Sequence, residues 1–314
     1  MQSVLVTGGA GFIGSHLCDV LIDKKYKVIC LDNLLTGSKN NIEHLLKNPD
    51  FQFIEADVVK PINQLAGQHV DCIFHLASPA SPVDYQNYPE ETLLSNSLGT
   101  LNVLELAKET GAKVLIASTS EVYGDPREHP QKETYFGNVN TFGPRSCYDE
   151  SKRYAEAAAY VYIQKYNLDI RIVRIFNTYG PRMQKDDGRV VSNFINGSLL
   201  GETLTVDGDG SQTRSFCYVG DMVNGIFKAM FSDGTKGEIF NLGNPDEYTV
   251  KDLADKIIDL TGSKSEIRYS GNFRENDPMR RRPDITKAKK ILDWEPKINL
   301  DEGLQKTIEY YKSL

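Results

Sequence analysis

Tyr148 and Lys152 stand four residues apart in a stretch, 146–166, that reads as one long helix, so both side chains fall on one face. An ammonium near a phenol and an oxidised nicotinamide lowers the phenol's pKa. The phenolate can then take a hydroxyl proton while a hydride leaves the same carbon. This spacing alone is common, and an exposed helix pair has the same signature. A second group lies at Ser118-Thr119-Ser120-Glu121, where the apolar run Val114–Ala117 ends. Small hydroxyls and one carboxylate at the C-terminal end of a strand suit a polar, sugar-like ligand. The plainer alternative is a Ser/Thr-rich turn with a surface Glu.

The redox half of such chemistry needs a dinucleotide. Thr7-Gly8-Gly9-Ala10-Gly11-Phe12-Ile13-Gly14 lies between the run Val4-Leu5-Val6 and a helical pattern of Ile13, Leu17, Val20 and Leu21. Glycines there allow a tight turn and close approach of the backbone to a pyrophosphate, and a helix N-terminus supplies free N–H groups. Asp32 ends the second apolar run, Val28–Leu31, 18 residues after Gly14. A carboxylate at that place accepts hydrogen bonds from an adenosine ribose and repels a 2′-phosphate, so the expected cofactor is NAD, not NADP. Asp57-Val58, after a third run Phe51–Ile54, is placed to meet the adenine.

The elements that position these groups follow an alternating order. Cys72–Leu76 reads as a fourth strand, Val114–Ala117 as a fifth and Ile170–Val173 as a sixth, with helices around 90–110 and 146–166 between them. Apolar strands alternating with helices predict an α/β fold, a Rossmann-type doubly wound parallel sheet covered on both faces. After about residue 177 the signals shorten, with helices at Asn193–Leu200, Val250–Thr261 and from Lys287 to Leu292. The expected division is a cofactor domain of residues 1–176, rejoined by 215–245, and a smaller substrate-binding domain of 177–214 and 246–314.

Bulk properties narrow the function. A net charge of −7 and a pI near 5.4 argue against nucleic acid or a membrane surface as partner. The five cysteines, at 18, 30, 72, 147 and 217, form no Cys-x-x-Cys pair, which fits a reducing compartment and no metal site. No basic leader precedes the first strand, and no apolar run approaches the roughly 20 residues of a membrane span. The expected location is the cytoplasm.

Several longer stretches carry a resemblance. They are HLASPASPVDYQNYP from His75, STSEVYGDP from Ser118, PRSCYDESKRYAE from Pro144, RIFNTYGPRM from Arg174, DGRVVSNFI from Asp187, GDGSQTRSF from Gly208 and RRPDI from Arg281. Together they resemble the extended short-chain dehydrogenases that act on nucleotide sugars, and within that group the UDP-glucuronate decarboxylases. The resemblance spans nearly the whole chain. Two departures are modest: Gln184 stands where some members have His, and the membrane anchor of Golgi members is absent, so the soluble type is expected.

The resemblance implies roles. Tyr148 and Lys152 match the catalytic pair, Thr119, Ser120 and Glu121 the triplet at the sugar, and Arg281 an arginine that reaches the sugar carboxylate or C5. Gly8, Gly11, Phe12, Ile13, Gly14, Asp32, Asn33, Thr36, Gly37, Asp57, Val58, Leu76, Ser78, Thr178 and Arg189, with Tyr148 and Lys152, match NAD contacts. Pro82, Tyr85, Asn177, Val191, Asn193, Leu204, Thr205, Val206, Arg214 and Arg281 match the UDP-sugar pocket. The implied reaction converts UDP-glucuronate to UDP-xylose and CO2 through a 4-keto sugar, with NAD regenerated.

Alternatives stay open at this point. Nucleotide-sugar 4,6-dehydratases carry Asp-Glu where this chain has Ser120-Glu121; the Asp protonates a departing hydroxyl, which CO2 does not need. A 4-epimerase, a decarboxylase acting on a 2-N-acetylated sugar and a non-catalytic NAD sensor are further readings. A homodimer is expected, as in the family, through the helices near 90–110 and 146–166. Leu98, Leu101, Leu104, Leu106, Ala155, Ala158 and Ala159 would supply its apolar faces.

Overall fold

A computed structural model of the chain describes residues 1–62, 65, 67–272 and 280–314. Its centre is a seven-stranded sheet. The strands are β1 (Ser3–Thr7), β2 (Lys27–Asp32), β3 (Phe51–Glu55), β4 (Cys72–His75), β5 (Lys113–Thr119), β6 (Ile170–Ile175) and, far along the chain, β11 (Ile239–Leu242). All pair in parallel, in the order β11-β6-β5-β4-β1-β2-β3. The strand order reverses between β1 and β4, and the crevice beyond their C-terminal ends is where ligands bind in sheets of this kind. There His75 Nδ1 is hydrogen-bonded to Thr7 Oγ1 at 2.8 Å, tying the two strand ends together.

Side-chain alternation splits the strands between two cores. Val4 and Val6 belong to one and Leu5 to the other; Cys30 and Ile29 divide in the same way. The first face is covered by α1 (Phe12–Asp23) and α7 (Val219–Phe231), the second by α4 (Leu98–Thr110) and α5 (Ser146–Tyr166). The stretch read as one helix around 90–110 is two, α3 (Pro89–Asn96) and α4, interrupted at Ser97. Asn96 at the break donates to Ser78 Oγ and Ser151 Oγ, which fixes this corner against α5. A short helix α2 (Pro82–Asn87) precedes them, capped by Ser81.

The faces assigned to a dimer need correction. Leu104, Ala155, Ala158 and Ala159 are buried in the core beneath the sheet, because the small residues of α5 let that helix approach the strands closely. Leu98 is exposed, and Tyr154, Ala157, Tyr160 and Val161 are exposed along α5.

A third core lies beyond the strand ends. Here α6 (Val190–Leu200), α8 (Val250–Thr261) and α10 (Leu300–Lys312) pack with β8 (Leu204–Val206), which pairs with β13 (Ile267–Tyr269). Two short strands, β7 (Thr178–Tyr179) and β10 (Cys217–Tyr218), pair in parallel. A second small sheet sets β9 (Thr213–Ser215) between β12 (Glu247–Thr249) and β14 (Arg280–Arg281). Helix α9 (Thr286–Leu292) then returns to the first core. No described helix is long and apolar enough to cross a membrane.

Candidate active site

A cavity of about 600 Å³ runs from the Gly-rich turn, past the ends of β1, β4 and β5, to the small sheet that carries β9 and β14. Its size suits a bound organic ligand.

At the first end the backbone shapes the wall. Gly8 has φ +72°, and a Cβ there would lie 2.7 Å from Ala77 N. A Cβ on Gly14 would lie 2.1 Å from Gly8 O, so turn and helix can pack only with hydrogen at that position. Asp32 closes this end. Its Oδ2 accepts from Ala10 N at 2.9 Å and its Oδ1 from Leu34 N at 2.8 Å. Burial raises its pKa, opposed by N–H donors of Leu34, Ala10 and Gly11. A carboxylate has about four acceptor sites, and these three N–H groups leave about one for a ribose hydroxyl. Gln184 Nε2 bridges to Thr36 O at 2.6 Å, joining the segment before α6 to the loop after β2.

In the middle, α5 delivers Tyr148 and Lys152 side by side. Lys152 Nζ donates to Ala117 O at 2.8 Å and lies 5.8 Å from the centre of the Tyr148 ring. Burial pushes Lys152 down to about 7 and Tyr148 up to about 12, the latter opposed by a hydrogen bond with Thr119. The lowered phenol pKa expected from the sequence is therefore not a property of the pair by itself. Desolvation penalises both charged forms and outweighs their mutual attraction. Tyr85 stacks on Tyr148 at 5.1 Å with 9° between the rings. Ser118 Oγ donates to Glu156 Oε1 at 2.5 Å, and Glu156 is held in turn by Arg174 at 2.7 and 2.9 Å, which anchors the end of β5.

At the far end the side chains are charged. Thr119 Oγ1 accepts from Glu121 N at 3.3 Å and starts the helical turn 120–123 that aims Glu121 into the cavity. Glu121 is gripped by Arg281, with Nη2 at 2.8 Å from Oε2 and Nη1 bonded to Oε1, and by Arg145. Burial would raise the Glu121 carboxyl, but the two guanidiniums hold it below its ordinary value. Strand alternation explains which arginine of the 280–282 run turns inward. Arg281 is 5% exposed and sits in register with Arg214, 7% exposed, on the neighbouring strand. Arg280 is exposed, and Arg282 faces outward to Glu247 at 3.8 Å.

The residues named from the sequence thus line one continuous cavity, with two exceptions. Leu204 and Val206 are 2% and 1% exposed and pack in the third core; only Thr205, between them, faces the cavity. A strand with one buried face cannot present three successive side chains to one side. Sequence reasoning missed Arg145, Asp187 and Tyr310, which also line it. Arg145 carried a signal: it lies four residues before Asp149 and one turn before Tyr148, at the start of α5.

Residues 5–307 match the family model described as GDP-mannose 4,6 dehydratase. UDP-glucuronic acid decarboxylase 1 of Danio rerio is 52% identical over 310 residues, covering 99% of this chain and 72% of the relative. UDP-glucuronic acid decarboxylase 5 of Arabidopsis thaliana is 54% identical over 302 residues, covering 96% and 86%. The crystal structure of UDP-glucuronic acid 4-epimerase from Bacillus cereus, in complex with UDP-glucuronic acid and NAD, superposes with a TM-score of 0.90 at 29% identity, covering 99% of each chain. By similarity over nearly its whole length, the chain belongs to the UDP-glucuronic acid decarboxylase family of the NAD-dependent epimerases and dehydratases.

Proposed function

We infer that this protein converts UDP-glucuronate to UDP-xylose and CO2, with NAD bound throughout the cycle. The observation that carries the reading is the cationic end of the cavity. Glu121 lies between Arg281 and Arg145, beside the Tyr148–Lys152 pair, and position 120 holds a serine instead of a second carboxylate. A uronate carboxylate finds guanidiniums there; an Asp at 120 would repel it.

The residues present fit NAD. The Gly8–Gly14 turn leaves room for a pyrophosphate at the start of α1, and Asp32 has spare acceptor capacity for a ribose. NAD held there would supply the redox chemistry, exchanging a hydride, one proton with two electrons, with sugar C4. Tyr148 takes the 4-hydroxyl proton at its phenolic oxygen and gives it back in the last step. Lys152, pinned by Ala117 O, stabilises the phenolate. Once C4 is a ketone, it is β to the C6 carboxylate, and CO2 leaves as the C5–C6 electrons pass into the carbonyl. Arg281 steadies the carboxylate and the developing enolate, and Glu121, kept as a carboxylate by its two arginines, orders the water that delivers a solvent proton to C5. In this reading the part formed by 1–176 and 215–245 holds the cofactor, and 177–214 with 246–314 holds the nucleotide.

The test is to supply UDP-glucuronate to the purified protein without added NAD. NMR and mass spectrometry of the products should show UDP-xylose and CO2, with little net NADH absorbance. UDP-galacturonate as sole product would assign a 4-epimerase instead, and a 6-deoxy-4-keto product from a neutral sugar would assign a dehydratase. The same reading includes a homodimer formed through α4 and α5, where Leu98, Tyr154 and Val161 are exposed. Light scattering at micromolar concentration should give twice the chain mass; a monomer would reject the dimer.

A further inference from the structure

The chemistry above uses Glu121 and Arg281 and leaves one charged group behind them without a role. Asp149 follows Tyr148 on α5, and its carboxyl is buried beneath the cavity. Its Oδ2 lies 3.7 Å from Arg145 Nε, and its buried Oδ1 has no hydrogen-bond partner. Arg145 is bonded in turn to Glu121, and Glu121 to Arg281. Three separate stretches of chain therefore build one row of charges: Asp149, Arg145, Glu121 and Arg281.

Among the described residues of that row, two carboxylates face two guanidiniums, and Arg214 adds positive potential at Glu121. A uronate carboxylate brings a third negative charge to the same place. A buried carboxylate oxygen without a hydrogen bond is expensive to keep ionised, and Asp149 is the member of the row that has one. Burial and the charge of Glu121 push its carboxyl up to about 7, against the pull of Arg145 and Arg281, while Glu121 is held low. The groups that face Asp149 are Glu121 from the turn after β5, Arg281 from β14, Tyr85 from α2, and Arg145, Tyr148 and Glu150 on its own helix.

We propose that Asp149 is a positioning residue that takes up a proton from solvent when a uronate carboxylate enters the site. Once neutral, it no longer competes with Glu121 for Arg145, and so it releases Arg281 towards the substrate. This rests on the decarboxylase reading above. A neutral sugar nucleotide adds no charge at this end and draws no proton.

Calorimetry tests this on the NAD-loaded Tyr148→Phe protein, which binds sugar without consuming it. Titrations in two buffers of different ionisation enthalpy count the protons taken up. At about pH 7.5, UDP-glucuronate should draw roughly 0.5 to 1 proton per site and UDP-glucose close to none. Adding Asp149→Asn should abolish the uptake, while Glu150→Gln should keep it. Asp149→Asn should also remove the pH dependence of UDP-glucuronate affinity, which otherwise weakens up to about tenfold per pH unit above pH 7. A side chain that only shaped the fold would not change the proton count. Equal uptake with both sugars overturns the proposal even if Asp149→Asn does not fold, and so does uptake that survives the substitution. Binding of UDP-glucuronate without proton uptake overturns this proposal alone; failure to bind it overturns the decarboxylase reading and this proposal with it.

Discussion

The two ends of the cavity are built by opposite means. The cofactor end is local: seven residues from Gly8 to Gly14 and one carboxylate at the end of the next strand shape it, and its tolerances are set by backbone contacts. The sugar end is assembled from residues 121, 145, 149 and 281, and ion pairs hold it together. A site made of backbone fails when a methyl group is added. A site made of paired charges fails when one partner is removed, because the other is left buried and uncompensated.

The largest effect is expected at the first end. Gly14→Ala puts a carbon 2.1 Å from a backbone oxygen that cannot swing away, so the overpacking should cost at least about 3 kcal/mol and bound NAD should be lost. Gly11→Ala is the control. Its Cβ would meet Gly8 O at 3.2 Å, so stability should stay within about 1 kcal/mol of the parent while NAD affinity falls. Melting curves and cofactor content of the two variants separate packing from ligand approach. Equal behaviour of both would mean the turn is not packed as described.

At the charged end, Glu121→Gln should lower turnover by about 100-fold, or about 2.7 kcal/mol, with UDP affinity little changed. Arg281→Ala should lower turnover and shift the preference for UDP-glucuronate over UDP-glucose by about tenfold. Turnover is read from CO2 release and both affinities from calorimetry. If Arg281→Ala keeps parental turnover and preference, the inward face of β14 has no part in recognising the sugar.

The same contrast decides what could be read from the sequence. Local features were legible. The Gly turn, Asp32 at the end of β2 and the bounds of α5 and α8 follow from spacing within a few residues. What depends on distant partners was not. Arg281 lies in a triple-arginine run whose ordinary reading is a solvated face; the resemblance names it but no local spacing does, and pairing with β9, nearly 70 residues earlier, supplies the physical reason that it points inward. Leu204 and Val206 were assigned to the pocket as one strand with Thr205, and alternation against the third core takes two of the three away. The alanines of α5 looked like an interface and proved to be the contact between helix and sheet. Helix α10 could have been found, since Asn299 caps it through Glu302 N, an Asn-x-x-Glu start that spacing reveals.

The smallest expected effect falls on Asp32, where the two kinds of construction meet, because its carboxylate both holds the loop and carries the charge. Its oxygens accept from Ala10 N and Leu34 N, and a Cβ on Gly37 would come within 2.9 Å of Oδ1, so the loop packs tightly around the anion. Discrimination against NADP comes from the charge, since a 2′-phosphate placed beside a carboxylate is repelled. Loop order comes from the acceptor atoms. Asp32→Ser keeps one acceptor and removes the charge, so it should narrow the gap between NAD and NADP affinity by at least tenfold, about 1.4 kcal/mol, while the loop holds its shape. Direct binding measurements with both cofactors check this. If discrimination is unchanged, Asp32 serves the loop alone and its charge has no part in the choice of cofactor.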